Sequence, residues 1–505
     1  MREPRDPAEA PVTTTSLASL YRPSLGLLTD LYQLTMVYGY WRSGLAEREA
    51  CFQLFFRKTP FGGGYAVAAG LEPALDFLTD LRFDASDLAY LATLRGNDDK
   101  ALFPAEFLDA LGALHFTCDV DAIPEGTLAF PQEPLLRVTG PLLQAQLVET
   151  ALLTILNFQT LIATKAARVV EAAGDGPVLE FGLRRAQGID GGLAASRAAY
   201  LGGCAATSNV LAGKLHGIPV RGTHAHAWVM SFESERESFV AYARAMPNNC
   251  VFLVDTFDTV QGVKHAIEVG HELRANGHEM AGIRLDSGDL ADLSQRARTL
   301  LDAAGFPKAA VVASNDLDET LIESLRHQGA KIDVWGVGTK LVTAYDQPAL
   351  GGVYKLAALR DPDGAWNYKI KLSETPAKVS TPGILQVRRY ESDAGFVGDL
   401  IYDEALGVPT APCLVDPLDS TYRRTFDAGQ IGVDLLKPAL RRGVRVLPPV
   451  PLATLRAHAR HELARLPAGV RRFLNPHRYP VGLEERLFQR RQDLVLAART
   501  RESHP

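Results

Sequence analysis

Short apolar runs rich in β-branched residues recur along the chain from about residue 178. Each run is followed by a polar or glycine-rich turn and then by a stretch with helical periodicity. The runs lie at residues 178–181, 219–221, 251–254, 281–284, 310–313, 332–335 and 352–356. Their spacing of about 20 to 40 residues is typical of a (β/α) barrel. An open doubly wound sheet is the alternative, and we favour the barrel.

The pattern differs on either side of this repeat. Helices are predicted at 29–41 and 71–81 and strands at 51–57 and 128–138, which indicates an α+β unit. Residues 142–173 carry apolar positions at helical spacing without Gly or Pro, and predict one long connecting helix. After Pro382 the repeat is lost. We expect strands and amphipathic helices there, including the arginine-dense stretch 440–501.

The length of 505 residues exceeds what one hydrophobic core supports, so several packed units are expected. We predict an α/β protein with a disordered tail (1–20), an N-terminal α+β domain (21–165) and a β/α barrel catalytic domain (166–380). Residues 381–505 would form a C-terminal region that packs on the N-terminal domain.

Composition and charge narrow the function classes. Charged residues are 22% and hydrophobic residues 47% of the chain, as in globular proteins. The net charge of -6 argues against a nucleic-acid surface, and the arginines near the C-terminus are balanced by acidic residues at helical spacing. No run approaches the roughly 20 apolar residues of a membrane span, and the N-terminus lacks the apolar core of a signal peptide. We therefore expect a cytoplasmic protein with no nucleic-acid or membrane partner.

The five cysteines are scattered, with no CxxC spacing. They are expected to be reduced and mostly buried.

Polar or glycine residues stand where the predicted strands end. Because the carboxyl ends of barrel strands carry active sites, these positions are the candidate site. They are Glu180, Thr223, Asp255, Asp286, Asn315 and Gly338.

Asp255 and Asp286 follow neighbouring predicted strands, with Arg284 two residues before Asp286. Two carboxylates that flank a pocket can coordinate Mg²⁺, bind sugar hydroxyls or stabilise a cationic sugar transition state. A structural salt bridge and helix N-caps are the alternatives.

Other segments are suited to anions and a flat ring. Gly336 and Gly338 could present backbone amides to a phosphate, although a lone GxG is more often a tight turn. Phe181 could stack on a ring while one of the two arginines behind it, Arg184 or Arg185, binds an oxyanion. Alternatively, Phe181 could be a core residue with both arginines solvated.

Two histidines, His224 and His226, lie within a single strand end. A neutral imidazole there could accept a phosphoryl group from a nucleotide, whereas one such histidine is often a hydrogen-bonded core residue. No third ligand is apparent at metal spacing.

Taken together, these segments resemble the nicotinate phosphoribosyltransferase family. The similarity covers about residues 27–385 and includes Arg-Leu-Asp-Ser-Gly-Asp-Leu at 284–290 and Gly-Thr-His-Ala-His at 222–226. Its other segments lie at 27–33, 56–64, 180–187, 207–209, 314–315, 336–339 and 350–356.

The resemblance implies a fold and a set of pyridine-binding residues. The fold would be an irregular (β/α) barrel of the type II phosphoribosyltransferase kind, beside an α+β domain formed by both chain ends, in a homodimer with shared active sites. Tyr32, lent by the partner subunit, and Phe181 would sandwich the pyridine ring. Thr223 and Arg284 would bind near the nicotinate carboxylate.

The resemblance also implies ATP-coupled (ligase-class) synthesis of nicotinate mononucleotide from nicotinate and phosphoribosyl pyrophosphate, the first step of NAD synthesis from nicotinate. Asp255 and Asp286 would support the ribose, the pyrophosphate and Mg²⁺. ATP would phosphorylate His226, whereas His224 occupies a variable position of the motif. Phosphates would be held by Arg57, Arg184, Ser314, Asn315, Gly336, Gly338, Thr339, Gly351 and Gly352.

Two rival functions remain open. A nicotinamide-using relative would have an Asp near the acyl group of the substrate, whereas the corresponding stretch 207–210 is uncharged, which favours nicotinate. A catalytically silent ligand sensor could keep the same fold. The motifs of this chain are intact, which argues against a sensor, because a sensor would not need them.

Overall fold

The computed structural model describes residues 24–427 and 430–503. The predicted tail at 1–20 lies outside the described residues.

The described residues form helices and strands along the whole chain. The helices are α1 (Leu31–Arg42), α2 (Leu71–Thr79), α3 (Ala85–Thr93), α4 (Ala105–Gly112), α5 (Leu142–Leu147), α6 (Glu149–Ala173), α7 (Gly188–Leu201), α8 (Val210–His216), α9 (His226–Met230), α10 (Glu235–Ala245), α11 (Thr259–Ala275), α12 (Leu290–Ala303), α13 (Glu319–His327), α14 (Thr339–Val342), α15 (Leu452–Arg465), α16 (Ala468–Arg471) and α17 (Glu485–Ser503). The strands are β1 (Glu49–Phe56), β2 (Ala66–Val67), β3 (Asp119–Ala122), β4 (Leu128–Ala129), β5 (Pro134–Pro141), β6 (Val178–Glu180), β7 (Ala206–Thr207), β8 (Val251–Leu253), β9 (Gly282–Leu285), β10 (Ala310–Ser314), β11 (Val334–Val337), β12 (Gly352–Arg360), β13 (Trp366–Tyr368), β14 (Leu385–Ser392), β15 (Gly395–Asp403), β16 (Cys413–Val415), β17 (Arg423–Thr425), β18 (Ile431–Asp434), β19 (Lys437–Arg441), β20 (Val444–Arg445) and β21 (Val481–Glu484).

An antiparallel sheet with the strand order β13-β12-β1-β5-β3-β19-β20 forms the first unit. Strand β1, which lies inside this sheet between β12 and β5, is buried over almost all its length, in keeping with its run of apolar residues. Strands β19 and β20 come from the C-terminal part of the chain and join this sheet through β3. Both ends of the chain therefore build the α+β domain, as the resemblance implied.

The prediction that residues 352–356 form a barrel strand is wrong. They begin β12, which pairs antiparallel with β1, and β13 extends the same sheet. An apolar run identifies a strand but does not specify its partner, because pairing depends on residues far away in the chain.

A parallel sheet with the order β7-β6-β11-β10-β9-β8 forms the second unit. Apart from the junction of β11 with β6, neighbours in this sheet are also consecutive strands of the chain. The strands thus follow one another around a ring, which confirms the predicted barrel and excludes the doubly wound alternative.

The ring is irregular between its edge strands β7 and β8. The predicted strand at 219–221 is reduced to one parallel bridge, between Val220 and Thr207. Further along, His224 Nε2 accepts a hydrogen bond from the Leu253 N–H of β8, at 3.3 Å. A bridge and a side chain thus stand where a regular barrel has a strand.

Two other predicted elements are divided. The helix expected at 142–173 is interrupted at Val148, which gives α5 and α6. The strand expected at 128–138 becomes β4 and β5, with Gln132 at a positive φ of 73° in the turn between them.

A third sheet, with the order β17-β16-β21-β15-β14-β18, is formed by the C-terminal region. Strands β2 and β4 form a separate two-stranded antiparallel sheet. Arg389 of β14 reaches this small sheet, where its Nη2 donates to the Leu128 carbonyl of β4 at 2.8 Å.

The cysteines are free thiols, and four of the five are buried, as predicted. None of the helices between residues 24 and 503 that the structure describes combines the length and apolar character needed to cross a membrane.

Candidate active site

A cavity of about 210 Å³ lies at the carboxyl ends of the barrel strands. Residues from four strand ends and their loops converge on it, although they are far apart in the chain. The lining residues are Phe181, Arg184, Arg185, Arg284, Asp286, Ser314, Asn315, Asp316, Gly336, Gly338 and Thr339. All but Arg185 and Asp316 are predicted site residues.

The ring of Phe181 lies directly over β11. A Cβ on Gly336 would stand 2.8 Å from Phe181 Cδ2, so the close approach of the ring requires glycine at this position. The Phe181 N–H donates to the Val337 carbonyl at 2.8 Å, which ties the turn to the same strand. One wall of the cavity is thereby a positioned aromatic side chain.

Glu180 serves the fold behind this wall. Its side chain is fully buried and accepts hydrogen bonds from Ser196 Oγ at 2.8 Å and Thr207 Oγ1 at 2.6 Å. The side chain also accepts from the Gly182 N–H, and so shapes the turn that carries Phe181.

Arg284 places a cation in the cavity. Its Nη1 donates to Thr223 Oγ1 at 2.6 Å, while its Nε is buried and has no hydrogen-bond partner among the described residues. Burial lowers the pKa of Arg284, and the charges of Asp286 and Asp255 oppose that shift. A guanidinium with an unused donor beside a hydroxyl is suited to a carboxylate.

The two predicted carboxylates are adjacent. Asp255 Oδ2 accepts from the Asp286 N–H at 2.8 Å and from Ser287 Oγ at 2.6 Å. Asp286 Oδ1 accepts from the Ser314 hydroxyl. Asp255 therefore fixes the turn that presents Asp286 to the cavity, and Ser314 orients the Asp286 carboxylate.

Oxygen atoms at this turn fit a magnesium ion. In the part of the chain that the structure describes, no three His, Cys, Asp or Glu side chains are grouped to hold a metal ion. Magnesium needs fewer protein ligands, because it retains waters and uses one or two carboxylates together with substrate phosphates. The oxygen atoms available as metal ligands are Asp255 Oδ1 and Asp286 Oδ2. Asp255 Oδ1 is buried and has no hydrogen-bond partner in residues 24–427 and 430–503.

His226 begins α9 at the edge of the cavity. Its Nδ1 lies 3.2 Å from Thr256 Oγ1, and its Nε2 lies 3.7 Å from Asp286 Oδ2. The side chain is 39% exposed.

His224 points away from the cavity into the barrel wall. Burial lowers the pKa of His224 to about 4; the Ala225 carbonyl opposes this shift, and Arg284 and His226 add to it. The ring is therefore neutral near pH 7, with the proton on Nδ1, since Nε2 accepts from Leu253. It packs edge-on against Tyr242, with the ring centroids 4.9 Å apart.

Arg185, one of the two arginines that follow Phe181, also lines the cavity. Three further residues at or beside it were not singled out from the sequence. Asp316 lines it, Thr256 contacts His226, and Ser287 contacts Asp255. Each lies next to a predicted site residue in the chain, and this proximity was the only signal available.

Comparison with known proteins identifies the family. The chain matches the nicotinate phosphoribosyltransferase N-terminal domain over residues 27–157, the family domain over 178–361 and the C-terminal domain over 386–491. The chain belongs to the nicotinate phosphoribosyltransferase family.

Relatives of this family match most of the chain. The nicotinate phosphoribosyltransferase of Bacillus subtilis is 45% identical over 483 residues, which cover 95% of this chain and 96% of the relative. The human nicotinate phosphoribosyltransferase is 39% identical, over 91% of this chain and 95% of its own.

Solved structures agree with the fold. The crystal structure of the human enzyme has a TM-score of 0.82 at 36% identity, and the match covers 93% of this chain and 100% of that one. A nicotinate-nucleotide pyrophosphorylase from Pyrococcus furiosus shares the fold, with a TM-score of 0.67 at 20% identity over 90% of this chain and 99% of that one.

Within one chain, four predicted site residues lie away from the barrel cavity, whereas Thr223, Asp255 and His226 do not line it but contact residues that do. Tyr32 is 48% exposed and lines a separate cavity of about 310 Å³ beside α6. Gly351 and Gly352 lie where β12 begins, and Gly352 is opposite Phe56 in the sheet. Arg57 lines a third and larger cavity of about 450 Å³, between the first unit and the C-terminal sheet.

Proposed function

We propose that this protein joins nicotinate to phosphoribosyl pyrophosphate and releases nicotinate mononucleotide and diphosphate, with hydrolysis of ATP to ADP and phosphate. This reaction is the first step of NAD synthesis from nicotinate. The names of the family relatives support the proposal. The observation that carries it is the partly buried guanidinium of Arg284, whose Nε has no hydrogen-bond partner among the described residues, in the cavity walled by Phe181.

Nicotinate is a flat ring with one carboxylate, and both parts have a counterpart in the cavity. The ring would stack on Phe181, while Arg284 and the Thr223 hydroxyl would bind the carboxylate. A partly buried arginine with an unused donor favours an anion over a neutral amide, which would leave its charge uncompensated.

The transfer needs positioning and charge stabilisation more than proton transfer. The pyridine nitrogen already has a lone pair, which attacks the anomeric carbon as the bond from that carbon to the pyrophosphate oxygen breaks. Asp286, fixed by Asp255 and Ser314, would stabilise the cationic sugar. Mg²⁺, held by Asp255 and Asp286, would neutralise charge on the pyrophosphate.

Phosphate groups would be held by the basic and glycine-rich part of the cavity. Arg184 supplies charge, and the Thr339 hydroxyl and the Asn315 amide supply hydrogen-bond donors. Ser314 lines the same part of the cavity, but its hydroxyl donates to Asp286 and would contribute by orienting that carboxylate. Gly336 and Gly338 allow close approach of the ligand to the backbone.

ATP would act through His226. Its Nε2 would attack the γ-phosphorus of ATP, ADP would leave, and water would later release phosphate and regenerate the imidazole. The Thr256 hydroxyl at Nδ1 leaves Nε2 as the acceptor nitrogen. A phosphoryl group there would add negative charge beside Asp286, and thereby link ATP consumption to the transfer site.

A homodimer with shared active sites belongs to the same proposal. Tyr32, Arg57, Gly351 and Gly352 lie outside the barrel cavity of their own chain, so a second copy would have to bring them to it.

We also propose a cytoplasmic location. The free thiols support this location, because free cysteines are typical of a reducing compartment.

Purified protein should form nicotinate mononucleotide from nicotinate, phosphoribosyl pyrophosphate, Mg²⁺ and ATP, as measured by chromatography of the products. In competition, nicotinate should be preferred to nicotinamide and quinolinate, because a single carboxylate matches the Arg284 guanidinium and the adjacent Thr223 hydroxyl.

Arg284→Met should lower kcat/KM for nicotinate at least about 100-fold, since it removes a charge-assisted pair. Preference for nicotinamide, or ligand binding without product, would reject the proposal in favour of a nicotinamide-using enzyme or a silent sensor.

A further inference from the structure

Two neighbouring segments at the ends of β10 and β11 carry several of the anion-binding groups of the cavity. One is the end of β10 with the loop after it, which supplies Ser314 and Asn315, and the other is the loop after β11 with the start of α14, which supplies Gly338 and Thr339. We call these two segments the cavity loops. Each loop is followed within three residues by a charged side chain that does not line the cavity. These side chains are Asp318 after the first loop and Lys340 after the second.

Lys340 and Asp318 join the two loops. Lys340 Nζ donates to Asp318 Oδ2 at 2.6 Å, and the side chains are only 27% and 12% exposed. Asp318 Oδ1 accepts from the Leu321 N–H at 2.8 Å, so the same carboxylate caps α13. Its orientation is therefore determined independently of Lys340.

Both groups are ionised near neutral pH. Burial would raise the pKa of Asp318, but hydrogen bonds from Lys340 and Leu321 hold it below its usual value. The hydrogen bond to Asp318 raises the pKa of Lys340. A charge-assisted bond of this kind is short and directional, which suits it to fixing a distance.

The short helix α14 is also held beyond its far end. Asp346 Oδ2 accepts from Lys165 Nζ at 2.6 Å, and Lys165 is fully buried on α6. The same ammonium lies 2.7 Å from Glu319, the residue after Asp318. One ion network thus ties both cavity loops to α6.

The loop after β10 needs such support. Asn315 adopts a φ of 131°, a conformation that residues other than glycine rarely adopt and that persists only when the surrounding structure holds it. The cap and ion pair at Asp318 begin three residues later.

We infer that Lys340 and Asp318 are positioning residues, which set the distance between the two cavity loops and so determine affinity for the phosphorylated substrate. This inference rests on the proposed function. Neither side chain touches the substrate, and both act through Thr339, Ser314 and Asn315.

Lys340→Met and Asp318→Asn test the pair. Asparagine keeps the α13 cap, and methionine keeps most of the aliphatic length of lysine. Each variant should weaken binding of phosphoribosyl pyrophosphate about tenfold and raise the KM for this substrate by about the same factor. The kcat and the KM for nicotinate should change little. The double variant should bind phosphoribosyl pyrophosphate no more weakly than the weaker-binding single variant. Lys340→Arg, which keeps the positive charge, should retain most of the wild-type affinity.

The control is Arg296→Met, which removes a cation from an exposed ion pair with Asp292 on α12. It should leave all of these values unchanged.

Calorimetric titration with phosphoribosyl pyrophosphate and Mg²⁺ separates this inference from the proposed function, because it needs no turnover. If the wild-type protein does not bind the ligand, the proposed function fails. If the wild type binds and the pair variants bind equally well, the positioning role is rejected. If those variants differ from the wild type only in a lower melting temperature, the pair serves stability and not substrate binding.

Discussion

The two histidines of the Gly222–His226 segment are two residues apart and have opposite surroundings. His224 is 8% exposed, neutral and packed against aromatic rings, with its Nε2 engaged by the Leu253 N–H. His226 is more exposed and directs Nε2 towards Asp286. Because a phosphoryl acceptor needs an accessible nitrogen, the more exposed His226 is the better candidate of the two.

His226→Ala should abolish labelling of the protein by ATP carrying labelled γ-phosphate, and with it the stimulation of transfer by ATP. His224→Ala and His224→Gln should both retain the label, measured after rapid quenching at alkaline pH, where phosphohistidine survives. Glutamine can still accept from Leu253, so it should also preserve more stability than alanine. Label that persists in His226→Ala but is lost in both His224 variants would reverse the assignment.

At the scale of elements, a buried charge on strand β14 links the C-terminal sheet to strand β4 and helix α15. Arg389 is 1% exposed and pairs with Asp399 of β15 at 2.6 Å and with Glu462 of α15 at 2.9 Å. Its neighbour Arg388, on the other face of the strand, pairs with Asp434 where both side chains are about one-third exposed. The two arginines are adjacent in sequence and differ mainly in burial.

Arg389→Met should therefore destabilise the fold by about 3–5 kcal/mol, because it leaves buried carboxylates without a cation. The matched variant Arg388→Met should cost less than about 1 kcal/mol, since water solvates the remaining carboxylate. Thermal unfolding followed by circular dichroism would compare the two midpoints. Equal midpoints would contradict the argument from burial.

At the scale of the whole molecule, one chain does not assemble every predicted site residue. Phe181, Arg284, Asp286 and their neighbours converge in the barrel cavity, whereas Tyr32 lies in another cavity beside α6. Closed two-fold symmetry is the common way to bring such distant surfaces together, because each copy then completes the site of the other.

Shared sites predict complementation between two inactive variants. Tyr32→Ala and Arg284→Met should each be nearly inactive alone. Co-expressed, they should recover about a quarter of wild-type activity, since half of randomly paired dimers would contain one intact site. The control Tyr90→Ala removes another exposed tyrosine and should remain active alone.

Activity of purified heterodimers, separated by two different affinity tags, provides the measurement. A monomer in solution, or heterodimers as inactive as their parents, would rule out shared sites.

The sequence by itself determined the barrel and the core of its site. Strand periodicity, helix spacing and the turns after each strand are local properties, so they identified the strand ends that bear Phe181, Arg284 and Asp286. Only the tertiary structure decided that residues 352–360 join the first sheet, that His224 completes the barrel wall, and that Lys340 reaches Asp318. Each of these contacts links residues distant along the chain, and a local pattern does not specify the partner of a strand or of a buried charge.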